Sequence, residues 1–238
     1  MHRFFVDPAA IGGDHIALDP ETLSHIRVLR LGPKETVIVC DGTGRDYHCT
    51  LEGECAKIMA VRDNQAEPPV SCAVYLAYTR GERMDYAIQK SVELGADAVY
   101  LFPSERCVVK YDEKSLPKKR GRFEKIALEA AKQSGRGKVP PVIAVQDFRA
   151  AMTRAADADL PLFFYEKEEL RTLKQALDRK PDFRTAALVT GPEGGFTEAE
   201  AALAAECGLV PVTLGKRILR CETAPVAALA SVLFYAEG

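Results

Sequence analysis

The sequence predicts an α/β chain in which a small β-rich unit precedes a domain built on a mostly parallel sheet. Three observations carry this. Residues 1–67 hold short strand patterns interrupted by one helical segment. The stretch Asp63-Asn64-Gln65-Ala66-Glu67-Pro68-Pro69 is polar and closed by two prolines, which suits a linker. After it, strand-length apolar runs alternate with helix-periodic segments, the pattern of a parallel sheet covered on both faces. The expected domains are residues 1–67 and 70–238.

In the first unit, Thr36–Cys40 is a strand ended by the turn Asp41-Gly42-Thr43-Gly44. Tyr47–Leu51 and Ala56–Val61 are further short strands, and Glu21–Leu31 is helical. In the second, Val70–Thr79 is a strand. Arg83–Leu94 places Ala87, Ile88, Ser91 and Val92 on one helical face, with Gly95 as its stop. Strand and helix then alternate: strand Ala98–Phe102, helix Lys118–Ser134 ended by Gly135, strand Val142–Val145, helix Phe148–Ala156. The series continues through strand Leu162–Tyr165, helix Glu168–Leu177, strand Ala186–Thr190 and helix Glu198–Cys207. Strand Val210–Leu214 and helix Thr223–Tyr235 complete it. No internal repeat or low-complexity tract is present.

The composition, 47% hydrophobic and 28% charged over 238 residues, supplies a core and excludes disorder. No apolar run approaches the roughly 18 residues of a membrane helix, and Asp7 interrupts the opening Met1-His2-Arg3-Phe4-Phe5 before any signal stretch. The seven cysteines (Cys40, Cys49, Cys55, Cys72, Cys107, Cys207, Cys221) are odd in number, and no pair has the two-residue spacing of a zinc or redox site. They read as reduced thiols of a cytoplasmic protein. His2, His15, His25 and His48 form no metal pattern, so neither a metal site nor a membrane association is expected. The net charge of −2 is unevenly spread. From Ser104 to Lys138 eleven basic residues face five acidic ones, leaving +6 there and −8 elsewhere. A local basic surface suits a polyanionic partner, though a solvated helix face gives the same pattern.

Two stretches carry chemistry. In Leu188–Glu200 a buried strand runs into the turn Gly191-Pro192-Glu193-Gly194-Gly195 and then a helix, where Thr197 and Glu200 have capping-box spacing. Glycines at a strand's carboxyl end let backbone amides approach a ligand, and ligands of open α/β sheets sit there. The spacing is neither a dinucleotide fingerprint nor a phosphate loop, and a plain tight turn is the competing explanation. In Leu214–Pro225, Arg217, Arg220 and Glu222 crowd the entrance of the last helix, which Thr223 can cap and whose first turn Pro225 suits.

Gly191-Pro192-Glu193-Gly194-Gly195 followed by Leu214-Gly215, then Arg217-Ile218-Leu219-Arg220 and Glu222-Thr223-Ala224, resembles the ribosomal RNA small subunit methyltransferase E family of the SPOUT class. Arg80–Met84, Gln89–Gly95, Ser104–Cys107 and Ala130–Arg136 agree with it. Met1–Phe5 and His25–Gly32 resemble its N-terminal PUA-like barrel. The resemblance spans nearly the whole chain. Cys221 stands where threonine is expected, which touches one hydroxyl contact.

The resemblance implies a C-terminal SPOUT domain with a deep trefoil knot, a PUA-like β-barrel over residues 1–67 that helps hold RNA, and a homodimer. It implies S-adenosylmethionine as cofactor and N3 methylation of uridine 1498 in 16S ribosomal RNA of the small subunit. Alternatives left open are another RNA as substrate, or a non-catalytic assembly factor. The cofactor is expected against three loops: Tyr165 and Glu166; Thr190, Gly191, Pro192, Glu193, Gly194 and Gly195; and Leu214, Gly215, Arg217, Ile218, Leu219, Thr223 and Ala224. Arg220 is the candidate for stabilising the charge that develops as the uracil imide loses its proton. Glu222 either accepts that proton or orients Arg220. Arg3, Arg27, Arg30, Arg106, Lys118, Lys119, Arg120, Arg122 and Arg136 are candidate RNA contacts.

Overall fold

The computed structural model describes residues 1–109 and 116–238, apart from the side chains of Leu116 and Pro117. Lys110, Asp112, Glu113 and Lys114 of the basic segment lie outside the described residues. The chain forms two compact units, Met1–Glu67 with Glu129–Val139, and Pro68–Leu128 with Pro140–Gly238.

The first unit carries β1 (Arg3–Phe5), β2 (Ile11–Gly12), β3 (His15–Ala17), α1 (Pro20–Val28), β4 (Thr36–Cys40), β5 (Arg45–Glu52) and β6 (Cys55–Asp63). They form one sheet in the order β1-β4-β5-β6-β3-β2, antiparallel except for the β1–β4 pair. Phe4, Ile16, Val37, Val39 and Ala56 fill its core. β1 to β3 run two or three residues each, too short for an alternating pattern to declare them. Asp19 caps α1 by accepting the Thr22 N–H at 2.8 Å, with Pro20 in the first turn. The helix stops three residues before the expected Leu31. Arg30 takes the left-handed conformation (φ 57°), Leu31 N bonds Ile26 O, and Arg30 N bonds Arg27 O. That is a Schellman end with arginine where glycine is usual, so its sequence signal is missing.

The segment Glu129–Val139 joins this unit through two polar anchors. Asn64 Nδ2 donates to Gly135 O at 2.9 Å. Arg136 Nη2 donates to Glu67 Oε2 at 2.7 Å, and Glu67 Oε1 takes the Gly137 and Lys138 N–H groups. The Arg136 side chain is only 2% exposed. Arg136, expected as an RNA contact, is thus a buried, ion-paired guanidinium that ties this segment to Glu67. Arg3, also expected as an RNA contact, is paired within the same unit. Its guanidinium grips both Asp46 oxygens at 2.6 and 2.9 Å with 8% of the side chain exposed. Burial pushes the Asp46 carboxyl up, but hydrogen bonds from Arg3 and Asn64 outweigh it and hold it below the usual range.

The second unit carries β7 (Ser71–Ala77), α2 (Gly81–Leu94), β8 (Ala98–Phe102), α3 (Leu116–Ser134, its end in the first unit), β9 (Val142–Ala144) and α4 (Phe148–Ala155). β10 (Leu160–Phe164), α5 (Leu173–Arg179), β11 (Thr185–Thr190), α6 (Glu198–Glu206), β12 (Val210–Val212) and α7 (Thr223–Glu237) follow. The six strands pair in parallel in the order β12-β10-β11-β7-β8-β9. Val74, Leu101, Leu162, Leu188 and Val189 are fully buried, as continuous apolar strands of a covered sheet should be. Gly95 ends α2 with φ 109°, and a Cβ there would run into Pro68. α5 starts five residues later than expected, because the capping box lies at Thr172 and Gln175.

Removing Glu67 leaves a buried guanidinium short of its counter-charge. Glu67→Ala is expected to destabilise the first unit by about 3–5 kcal/mol. Urea unfolding of the full chain checks this, and an unchanged midpoint would refute the assignment.

Candidate functional site

β11, β10 and β12 lie side by side and all point the same way, so the loops leaving their carboxyl ends meet at one edge. Together they line a cleft of 960 Å³. Of the residues expected at a cofactor, Tyr165, Glu166, Gly191, Pro192, Glu193, Gly194, Gly195, Leu214, Gly215, Arg217, Ile218, Leu219 and Ala224 line it, and Arg220 lines it too. Thr190, Glu222 and Thr223 do not. Thr190 is buried, its hydroxyl donating to Tyr75 O at 3.3 Å. The lining also holds residues that sequence reasoning missed, chiefly Arg83, Glu168, Glu169, Thr172, Lys216 and Cys221. Arg83 stands over a hundred positions from the glycine turn, so no local spacing could connect the two.

The glycine turn is explained first by packing within the protein. A Cβ on Gly194 would come 2.9 Å from Arg106 Cβ, one on Gly191 would meet the Phe196 ring at 3.1 Å, and one on Gly195 would strike the Glu166 carboxylate. Gly195 also has φ 67°. The side-chain space expected to face a ligand is thus taken, at Gly194, by Arg106. Arg106 Nη1 ties the turn further, donating to Gly194 O at 3.1 Å and Phe196 O at 3.4 Å. Behind the turn, the buried Glu200 closes the capping box with Thr197 and accepts from Ser104 Oγ and Glu105 N at 2.8 Å each. The loop after β8 and the start of α6 are therefore one polar construction.

At the other wall, Glu193 Oε1 accepts from Arg83 Nη1 at 3.2 Å and from Arg80 N at 3.1 Å. The last helix starts differently from expectation. Its cap position is Glu222, with no side-chain cap, and Arg220 O takes the Thr223 and Ala224 N–H groups at 2.9 Å each. Thr223 is the first helical residue and caps nothing. Cys221 Sγ donates to Glu222 Oε2 at 3.1 Å, a bond that a threonine hydroxyl would also make. Burial pushes the Glu222 carboxyl up, but the Cys221 bond, its own backbone N–H, Arg83 and Arg220 outweigh it and leave it below the ordinary range. Burial, then Glu222 and Glu193, push the Cys221 thiol up to about 12 against Arg83.

The remaining basic candidates divide by what they already hold. Arg27, Arg30 and Lys118 are exposed, and Lys119 is half-buried. Arg120 pairs with Glu124 at 2.7 Å and Arg122 with Asp85, both while more than half exposed. These are surface pairs that a phosphate can displace at small cost.

A thiol held near 12 carries about a thousandfold less thiolate near neutral pH than an ordinary one. Cys221 is therefore expected to alkylate at a small fraction of a free thiol's rate with iodoacetamide, rising steeply with pH. Peptide mass spectrometry over a pH series checks this, and fast modification at neutral pH would contradict the geometry.

Residues 66–233 match the RNA methyltransferase domain family, and residues 18–58 match the RNA methyltransferase PUA domain family. The ribosomal RNA small subunit methyltransferase E of Bacillus subtilis is 36% identical over 251 residues, covering 100% of this chain and 98% of that protein. Its counterpart in Synechocystis is 33% identical, covering 97% of this chain and 77% of that one. The crystal structure of the Neisseria gonorrhoeae ribosomal RNA small subunit methyltransferase E, bound to S-adenosyl methionine, superposes with a TM-score of 0.87 at 34% identity, covering 97% of this chain and 96% of that one. With end-to-end likeness in both sequence and fold, and both family domains in order, this chain belongs to the ribosomal RNA small subunit methyltransferase E family of RNA methyltransferases.

Proposed function

We propose that this chain uses S-adenosylmethionine to methylate N3 of a uridine in 16S ribosomal RNA of the small subunit, at position 1498. The observation that carries the reading is the cleft at the ends of β10, β11 and β12, where a glycine turn faces a loop bearing Arg217 and Arg220. The relative crystallised with that cofactor shares the fold along nearly the whole chain.

The donor set fits a cofactor carrying positive charge on sulfur and nitrogen. Glu166, Glu168, Glu169 and Glu193 line the cleft. The Tyr165 hydroxyl is buried with no partner among the described residues, as a group awaiting a ligand contact would be. Phe164, Ile218 and Leu219 offer apolar surface for an adenine ring, with loop backbone around it. Bound there, the cofactor supplies an activated methyl group on a sulfonium. The chain's own task is to favour the uracil imide anion and hold it in line. Arg220, exposed at the cleft, stabilises that charge. Glu222 orients the arginine side of the site, since a carboxyl held low is a poor proton acceptor.

RNA docking falls to the exposed cations Arg27 and Arg30 of the first unit, and to Arg106, Lys118, Lys119, Arg120 and Arg122 of the second. The trefoil knot, a cytoplasmic location and a homodimer belong to the same reading. Support for a dimer comes from α7, which leaves Ala230, Ser231 and Phe234 exposed on one face, Phe234 by 81%.

Mass mapping of methylated nucleotides after incubation with unmethylated small-subunit particles tests the whole reading. Modification elsewhere, or none, overturns it. Arg220→Ala is expected to slow single-turnover methylation roughly a hundredfold while calorimetric cofactor affinity holds. Loss of RNA affinity alone would reassign Arg220 to docking. Phe234→Glu is expected to shift the protein to the monomer in sedimentation, and an unchanged state would move the interface off α7.

A further inference from the structure

Arg83 lines the same cleft as Arg220 but is built into it differently. Lys216, Arg217 and Arg220 are exposed on the loop before α7. Arg83 stands in the first turn of α2, 41% exposed, with Nη1 bonded to Glu193 Oε1 at 3.2 Å. The same oxygen takes the Arg80 N–H at a helix start that has no side-chain cap. Glu193 Oε2 is buried with no hydrogen-bond partner among the described residues. Glu193 is therefore a carboxylate fixed on the glycine turn, whose cost of burial is offset mainly through Arg83. The other guanidinium donors of Arg83, on Nε and Nη2, have no partner among the described residues. A planar cation clamped at one nitrogen and open at two others is pre-aimed for a further acceptor.

The substrate chemistry calls for two such cations. The uracil N3–H lies between two carbonyl oxygens, and the anion left after proton loss spreads its charge over both. One arginine can serve one oxygen. Arg83 and Arg220 both act electrostatically on the Glu222 carboxyl, and Arg83 also acts on Cys221, so both cations bear on the same end of the cleft.

We propose that Arg83 is a second catalytic arginine, braced by Glu193, which donates to one uracil carbonyl oxygen while Arg220 serves the other. The N3–H bond breaks and its proton passes to water. The N3 lone pair then forms the bond to the methyl carbon, and the carbon–sulfur bond breaks with its electron pair remaining on sulfur. Glu193 acts through Arg83 and is a positioning residue. The inference rests on the N3-uridine reading above.

The test compares wild type, Arg83→Gln, Arg83→Lys and Glu193→Gln in single-turnover methylation of small-subunit particles across a pH series, with cofactor calorimetry and thermal unfolding alongside. Arg83→Gln is expected to be slower by on the order of a hundredfold near neutral pH, with cofactor affinity within about twofold. The deficit should narrow as pH rises, because hydroxide then ionises the imide that the arginine no longer favours. Glu193→Gln should show the same trend with a smaller deficit, and Arg83→Lys should recover part of the rate. A fluorine resonance gives a readout apart from turnover: 5-fluorouridine at the target position of bound RNA, with S-adenosylhomocysteine present, should ionise at lower pH on wild type than on Arg83→Gln. A deficit equal at every pH, a loss confined to cofactor affinity, or the same ionisation midpoint on both proteins overturns the proposal. Where Arg83→Gln does not fold, Arg83→Lys decides, and a wild-type profile from it counts against the role. If wild type itself leaves uridine N3 unmethylated, the parent reading fails instead.

Discussion

Parallel pairing of β10 with both β11 and β12 is the constraint on which the site depends. Parallel strands need crossovers, so each must be left by a loop at the same edge, and three neighbours deliver three loops to one place. The pairing is held by a fully apolar interior, with Leu162, Phe163, Leu188 and Val189 buried between covering helices. Nothing polar in the cleft is needed to keep the strands in register. The loops are thereby free to carry residues that would be costly in a core, such as four glutamates and three cations around one cavity.

Rigidity at that edge comes from backbone contact as much as from side chains. Gly194 lies against Arg106, Gly191 against the Phe196 ring, and Gly195 beside Glu166. Each glycine removes a Cβ that another part of the same unit occupies. Glu200 then fastens the loop after β8 to the start of α6 through Ser104, Glu105 and Thr197. A turn locked from behind holds its amides in place, and preorganised groups are what a charged transition state rewards.

Much of this was legible in the sequence, and the remainder was not for identifiable reasons. The alternation after Pro69 is carried by long buried strands and capped helices, so every strand and helix of the second unit was foreseen to within a few residues at most boundaries. The glycine turn and the Arg217–Ala224 stretch were readable because each is local. β1 to β3 were missed because two or three residues carry no period. α1 was overrun because Arg30, a non-glycine, turns its end. Arg83 was read as part of a helix that agrees with the family resemblance but was given no role at the site, because its partner Glu193 is brought to it only by the sheet.

The arginines show why a count of charge is a poor guide to a binding face. Formal charge between Ser104 and Lys138 is strongly positive, yet the cations there differ in what they can offer. Arg136 is buried on Glu67, whereas Arg106 is exposed while tied to two carbonyls of the glycine turn, and Arg122 is an exposed partner of Asp85. A guanidinium already paired inside a low-dielectric interior contributes little field outside it, and moving it to a phosphate would strand its partner. Exposed pairs such as Arg120–Glu124 exchange partners at small cost. Ranked by burial and pairing, the cations closest to chemistry are few: those on the cleft, and among them the one held by a half-buried carboxylate. Arg83 meets both conditions, which residue type and sequence position could not reveal.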